Sequence, residues 1–328
     1  MIIETPSRLH VTLIDLNGRY GRIDGGVGIT TRSPCLILEA TAGCEETRIE
    51  FSEKDIPIDT IEDYHKKIFS ASHIINEYLN MDESYLFNVK EVFPSHSGLG
   101  SGTQLSLATA KLILKMHDHD LPASKIGELV GRGGTSGIGV ASFEDGGFIV
   151  DGGHKKSVKK DFLPSSASKA SPPPIIARYD FPEDWKIILA IPHVERKVFG
   201  DGEVNIFQKY CPIPLGDVQE LTHLLFMKMM PAVIEEDLDS FGDAVNNIQS
   251  IGFKKIELKL QNPFIKELME NLENAGAAGV GMSSFGPTVY AVTDTNTNQI
   301  CRAARNSMKG MDGEIILTGA QNSGAQII

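Results

Sequence analysis

The chain has 328 residues, more than one hydrophobic core usually serves, which predicts two domains. A formal net charge of −12 argues against nucleic acid or an anionic membrane as partner, and 41% hydrophobic with 23% charged residues is the balance of an ordinary soluble globular protein. Cys35, Cys44, Cys211 and Cys301 have no metal-like spacing, no apolar run reaches membrane-spanning length, and residues 1–10 lack a signal peptide's architecture, so a reduced, cytoplasmic protein is expected.

Residues 2–5 and 9–14 predict two short strands joined at Pro6. Residues 17–28 (NGRYGRIDGGVG) are glycine-rich and predict a turn or loop. Strands follow at 36–40 and 48–51. Ile58, Ile61, Tyr64, Ile68, Ser72, Ile75 and Leu79 then recur at helical spacing, with Asp59 and Glu62 as an N-cap pair. A strand at 85–92 leads into SHSGLGSGTQ, residues 95–104, and then into Leu105, Ala108, Leu112 and Met116 on one helical face.

A glycine run between a strand and a helix aims free first-turn N–H groups and the positive end of the helix dipole at the loop. Gly98, Gly100 and Gly102 let the main chain curl around an anion, and Ser97, Ser101 and Thr103 add hydroxyls. The stretch reads as a cradle for phosphate or diphosphate, with a purely structural turn as the alternative. No Gly-Lys-Ser/Thr follows, so it is not a Walker loop, and it does not open a Rossmann unit.

Beyond it, residues 123–130 predict a helix and 131–139 (GRGGTSGIG) a second glycine-rich turn. Residues 140–143 and 148–150 predict a hairpin closed by Glu-Asp-Gly-Gly. Residues 154–174 (HKKSVKKDFLPSSASKASPPP) predict a flexible connector or flap at the domain boundary. The second half predicts a strand at 186–191, helices around 215–234, 237–251 and 262–275, a glycine/serine loop at 279–287 running into a strand at 288–292, a helix at 297–308 and a strand at 314–318. The grouping of strands and helices fits α+β.

Three separated segments share one resemblance. Pro6-Ser7-Arg8-Leu9-His10 resembles the first motif of the GHMP kinase superfamily. Pro94 with Gly98, Leu99, Gly100 and Ser101 resembles the second, with Gly102-Thr103-Gln104 in place of its Ser-Ala-type residues. Gly279 to Gly286 resembles the third. The resemblance implies a two-domain α+β fold, divided as 1–175 and 176–328, with the active site in the cleft between domains. Residues 7–28, 131–139 and 143–154 are most similar to a non-kinase branch, the β-ribofuranosylaminobenzene 5′-phosphate synthases of methanopterin biosynthesis.

That branch implies a homodimer that joins phosphoribosyl diphosphate to 4-aminobenzoate or 4-hydroxybenzoate with Mg²⁺, releasing carbon dioxide and diphosphate. A small-molecule kinase of homoserine or mevalonate type and a non-catalytic metabolite-binding protein stay open as alternatives. Arg8, Arg22 and Arg132, each in or beside a glycine-rich turn, are candidates for binding carboxylate or phosphate. Asp24 and Asp151, each before Gly-Gly, are candidate bases or metal ligands, or simply turn-formers.

His154 is the first choice of proton acceptor, followed by His10, His96 and His193; Glu203 and Lys197 are weaker candidates. The catalytic set is therefore Asp24, Asp151, His154 and Arg132. The binding set is Arg8, Arg22, Ser97, Gly98, Leu99, Gly100, Ser101, Gly102, Thr103, Gln104, Ser136, Ser283, Ser284 and Gly286. No metal ligand is assigned.

Overall fold

The computed structural model describes residues 1–93, 97–165, 167–194 and 201–328. The first long pair is β1 (Ile2–Asp15) against β2 (Arg22–Ala42), antiparallel over nearly their whole length. Pro6 does not divide β1, because it falls at a register shift where β2 bulges past it. The expected loop at 17–28 is likewise a strand from Arg22 onward. Its glycines serve packing: a Cβ on Gly28 would stand 2.2 Å from the Ile138 side chain.

Next come β3 (Arg48–Phe51), α1 (Ile58–Leu79), β4 (Tyr85–Glu91), α2 (Ser101–Met116), α3 (Ala123–Leu129) and α4 (Ile138–Glu144). No side chain caps α1, whose N-cap is Pro57; Asp59 instead accepts from the Thr60 amide. The expected hairpin is absent: residues 140–143 lie in α4. A short buried apolar run carries no period that separates helix from strand.

The chain continues through β5 (Phe148–Asp151), β6 (His154–Lys155), β7 (Ile175–Tyr179), β8 (Lys186–Pro192), α5 (Asp201–Tyr210) and α6 (Leu215–Leu224). A π-helical turn (Leu225–Met229) joins α6 to α7 (Met230–Glu235), before α8 (Leu238–Ile248), α9 (Gly252–Leu260) and α10 (Pro263–Asn274). Then follow β9 (Gly279–Met282), β10 (Val289–Thr293), α11 (Thr297–Ser307), β11 (Gly313–Gly319) and β12 (Gln326–Ile327). Residues 279–282, expected to be loop, are therefore strand.

Among the described residues one sheet runs β12-β1-β2-β4-β3, with β5 and β6 also pairing β2 and β7 pairing β5. The other runs β11-β8-β10-β9. A cut at residue 175 thus falls on the first residue of a strand belonging to the first sheet. One apolar cluster joins Leu9, Val11 and Val27 to Leu105 and Leu112 of α2 and to Ile187, Leu189 and Tyr290 of the second sheet. The opposite face of β8, Ile188 and Ala190, packs with Ile265, Leu268 and Ile300 under α10 and α11. Both faces of β8 are covered, which is why its sequence is apolar without alternation.

Candidate active site

Alternation along β1 sends Leu9 and Val11 into the core and turns Arg8 and His10 toward the cleft. There the three motif segments are tied together. The Arg8 amide donates to Leu99 O (3.0 Å), and the Arg8 guanidinium donates through Nη1 to Gly98 O. Ser283 Oγ donates to Gly98 O (2.7 Å) and accepts from the His10 amide (2.9 Å). The Ser284 amide donates to His10 O (3.0 Å), and Thr288 Oγ1 to Ser97 O (2.7 Å). Burial pulls the Arg8 pKa down to about 10.

The glycine run does two different jobs. Gly98 and Gly100 have φ of 87° and 88°, in the left-handed region that favours glycine. A Cβ on Gly98 would lie 2.4 Å from Ser283 O, so this residue permits the approach of the third motif. Gly100 is the N-cap of α2 and lies under the Arg8 side chain. Among the described residues no side chain caps α2 and no acid occupies its first turn, which leaves the positive dipole end open toward an anion. Leu99 and Gln104 face inward: Leu99 is a core residue, and Gln104 donates to Gly139 O (2.8 Å).

Beside this loop lies a cavity of about 170 Å³ lined by Arg8, His10, Thr103, Thr135, Ser136 and Ser284, with Glu203 and Glu257 also on its wall. Gly286, at φ 72°, turns the third motif back, its amide donating to Ser283 O. Beneath that loop, Lys254 donates to Met282 O and Ser284 O (3.1 Å each) and pairs with Glu257 at 2.5 Å. Burial raises the Glu257 carboxyl above its usual range, with Lys254 opposing.

Arg132 sits on the other flank of the start of α2, its Nε donating to Ser106 Oγ (3.3 Å). Lys67 stands over Gly102 and pairs with Asp63. Burial lowers the pKa of both cations, and Asp63 opposes the shift in each. Two cations against one carboxylate leave this end of the helix locally positive within an acidic protein.

Arg22, Asp24, Asp151 and His154 form a wall behind the cleft rather than its lining. Arg22 donates to Gly152 O (2.7 Å) and Gly153 O (2.6 Å). Asp24 Oδ2 accepts from His154 Nδ1 (2.7 Å) and Lys159 Nζ (2.9 Å). His154 Nε2 faces Ser171 O (2.9 Å), so both ring nitrogens are occupied by protein oxygens rather than turned to the cleft. Lys159 also donates to Thr135 Oγ1 (3.0 Å), which connects this wall to the cleft. Arg22, Asp24 and Asp151 do line a larger cavity on the other side of this wall, about 600 Å³, together with Ile14, Ile176, Val218 and Phe226, and none of the three motif segments reaches it.

The described part of residues 154–174 is a packed cover, not a solvated linker. Lys159 is buried, Pro164 and Ser165 line the cleft, Ser168 bonds Gly134 O, and Pro172 and Pro173 sit against Gly133 and Gly137. His193 is exposed and pairs with Asp312 (3.0 Å), away from the cleft. Pro94, Ser95, His96 and Lys197 lie outside the described residues. Lys67, Lys159, Lys254, Glu257 and Thr135 were not legible as site residues. For Lys254 and Glu257 the available signal is a charged pair three apart among Phe253, Ile256 and Leu258.

Asp151 is fully buried. Its carboxylate accepts from the Gly153 and Gly137 amides (2.9 Å each) and from Ser136 Oγ (3.1 Å). Burial nevertheless pushes its pKa up to about 6. The folded state therefore holds this proton more firmly than the unfolded chain, so stability is greatest below the ordinary aspartate value and falls as pH rises through about 6. Relative to Asp151→Asn, the native chain should lose up to about 3 kcal/mol between pH 4 and 7 in urea unfolding.

Residues 63–147 match the GHMP kinases N terminal domain, and residues 229–310 match GHMP kinases C terminal. The fold is similar to that of an L. major mevalonate kinase crystallised with R-mevalonate, at TM-score 0.70 and 13% identity over 98% of this chain and 96% of that one. A β-ribofuranosylphenol 5′-phosphate synthase of Methanothermobacter thermautotrophicus is 54% identical over 100% of this chain and 98% of that protein. The chain belongs to the β-ribofuranosylphenol 5′-phosphate synthase family. A second synthase, from Methanocaldococcus jannaschii, is 46% identical over the full length of both. The chain is thus an enzyme of a synthase family within the GHMP superfamily, and the kinase alternative gives way. Among the described residues no helix is long and apolar enough to cross a membrane.

Proposed function

We propose that the chain transfers the phosphoribosyl group of phosphoribosyl diphosphate to the carboxylate-bearing ring carbon of 4-hydroxybenzoate or 4-aminobenzoate. The products are the aryl C-riboside 5′-phosphate, carbon dioxide and diphosphate. One observation carries the reading: the uncapped, cation-flanked start of α2 opens beside a small polar cavity. The names of the relatives favour the phenol over the amine.

The first-turn amides and Arg8 hold the diphosphate, with Lys67 and Arg132 flanking them. As the bond to the anomeric carbon breaks, negative charge grows where these donors already point, the arrangement in which preorganised donors contribute most. The aryl ring lies in the cleft cavity, and fixing ring and sugar in register lowers the barrier further. Bond formation at the ring carbon and loss of carbon dioxide restore aromaticity with no net proton change.

A magnesium ion bound with the donor belongs to the same reading. Among the described residues no three His, Cys, Asp or Glu side chains are grouped to hold a metal alone. Glu203 on the cavity wall would be the carboxylate to hold such a cation, Glu257 being already paired with Lys254. When bound, it would neutralise charge on the leaving diphosphate. The homodimer rests on the resemblance.

Incubation with phosphoribosyl diphosphate, Mg²⁺ and carboxyl-labelled 4-hydroxybenzoate or 4-aminobenzoate should release labelled carbon dioxide without ATP. ATP consumption with a small alcohol, or ligand stabilisation without turnover, would overturn the reading.

A further inference from the structure

Gly102, the second residue of α2, is a glycine for which the backbone gives no reason. It lies inside the helix without a positive φ, where alanine would serve the helix better. It also departs from the second motif, which has a Ser-Ala-type residue there. What fills the place of its side chain is Lys67: a Cβ on Gly102 would stand 2.7 Å from Lys67 Nζ and 2.8 Å from Cε. The Cα–Cβ bond of a helical residue tilts toward the N-terminus, so this ammonium sits on the loop side of the first turn.

A cation at this end of a helix opposes the dipole, and two more stand round the same start. The Arg8 side chain lies against Gly100, and Arg132 donates to Ser106 Oγ, whose hydroxyl donates in turn to Gly102 O (2.9 Å). Asp63, one turn earlier on α1, holds Lys67, and each of the two side chains is only 14% exposed. Burial lowers the Lys67 pKa; Asp63 opposes the shift and Arg132 adds to it. Cations that repel one another around a helix start are complementary to a polyanion, and a diphosphate has the charge to meet them all.

We propose that Lys67 donates directly to the diphosphate of the sugar donor, and that residue 102 is glycine in order to admit its ammonium. This rests on the function proposed above. In the free chain Asp63 holds the ammonium; with the donor bound, a diphosphate oxygen accepts from it across the bare face of Gly102, and Asp63 stays behind to fix the side chain. Charge on the diphosphate grows as the bond to the anomeric carbon breaks, so the contact strengthens toward the transition state.

Calorimetric titration of the whole protein with inorganic diphosphate and Mg²⁺ reads this contact without turnover. Lys67→Met should weaken diphosphate binding by roughly tenfold or more. It should raise the KM for phosphoribosyl diphosphate by a similar factor and leave the KM for 4-hydroxybenzoate unchanged. Gly102→Ala should do nearly the same although it alters no charge, because its methyl group moves the flexible end of Lys67 aside. Its midpoint in urea unfolding should stay close to native, since no main chain is in the way. In a Lys67→Ala background, Gly102→Ala should weaken diphosphate binding no further.

Diphosphate binding of native strength in Lys67→Met would overturn the assignment. An equal loss from Gly102→Ala with and without the Lys67 side chain would show the methyl group itself obstructing the anion, and would overturn the link between the two residues. Lys67→Met, which keeps most of the side chain's packing, decides the use of the charge even if Lys67→Ala does not fold. Failure of the native protein to bind diphosphate would overturn this inference together with the anion cradle. Diphosphate binding without carbon dioxide release would instead overturn the reaction and leave Lys67 in its place.

Discussion

Gly98→Ala should cut turnover by about a hundredfold or more while leaving the chain folded. The residue has φ of 87°, and the added Cβ would stand 2.4 Å from the backbone oxygen of Ser283. Neither main chain can yield as a flexible side chain would, so the second and third motifs must part. That separation displaces the start of α2 from Arg8, and misplacement on the order of 1 Å is costly in a two-substrate reaction. Gly131→Ala is the matched control: it too has positive φ, 67°, but its Cβ would meet nothing within 4 Å. It should bear the backbone strain alone, about 1–2 kcal/mol, with turnover close to native. Equal activity in the two variants would remove the Gly98–Ser283 contact from the account.

Asp24→Asn should be the most destabilising of the conservative substitutions considered, by about 3–5 kcal/mol in urea unfolding. The side chain keeps its size, and asparagine tolerates the φ of 68° found here. What is lost is the negative charge facing two buried partners, His154 Nδ1 at 2.7 Å and Lys159 Nζ at 2.9 Å. Burial already lowers the Lys159 pKa, and Asp24 is what opposes that shift. Adding Lys159→Met to Asp24→Asn should therefore recover part of the stability, giving a favourable coupling in a double-mutant cycle. Strict additivity would mean that the two groups do not depend on one another.

Much of the fold was legible where a single period dominates. The Ile58, Tyr64, Ile68 and Ile75 series marks α1, and the continuous apolar run of β8 reads as strand because both its faces are buried. Residues 22–28 were misread because their glycines look like a turn, while Gly26 makes room for Ser136 and Asp151 and Gly28 for Ile138. Residues 140–143 were misread as strand because four buried residues, three of them apolar, carry no period. In both cases the deciding partner is distant in sequence.

The site divides in the same way. The motif segments were legible because glycine at fixed spacing is itself the signal, and Arg8, Thr103, Ser136 and Ser284 do meet around one cavity. Asp24, Asp151 and His154 were marked by the same glycine-rich context, yet they bond to one another's surroundings behind the cleft. Lys159 had no distinguishing mark among Lys155, Lys156 and Lys160; only the fold selects which lysine is buried. Lys67 lies within α1, distant from Gly102 in sequence, and reaches it only through the packing of α1 on α2.

The central claim is that the start of α2 holds the leaving diphosphate next to the ring cavity. A crystal structure with Mg²⁺ and a non-reactive phosphoribosyl diphosphate analogue tests it directly. The account predicts diphosphate oxygens accepting from the Ser101 and Gly102 amides, with Arg8 alongside and the sugar directed toward His10. Diphosphate lodged in the larger cavity beside Ile14, Val218 and Phe226 would contradict it.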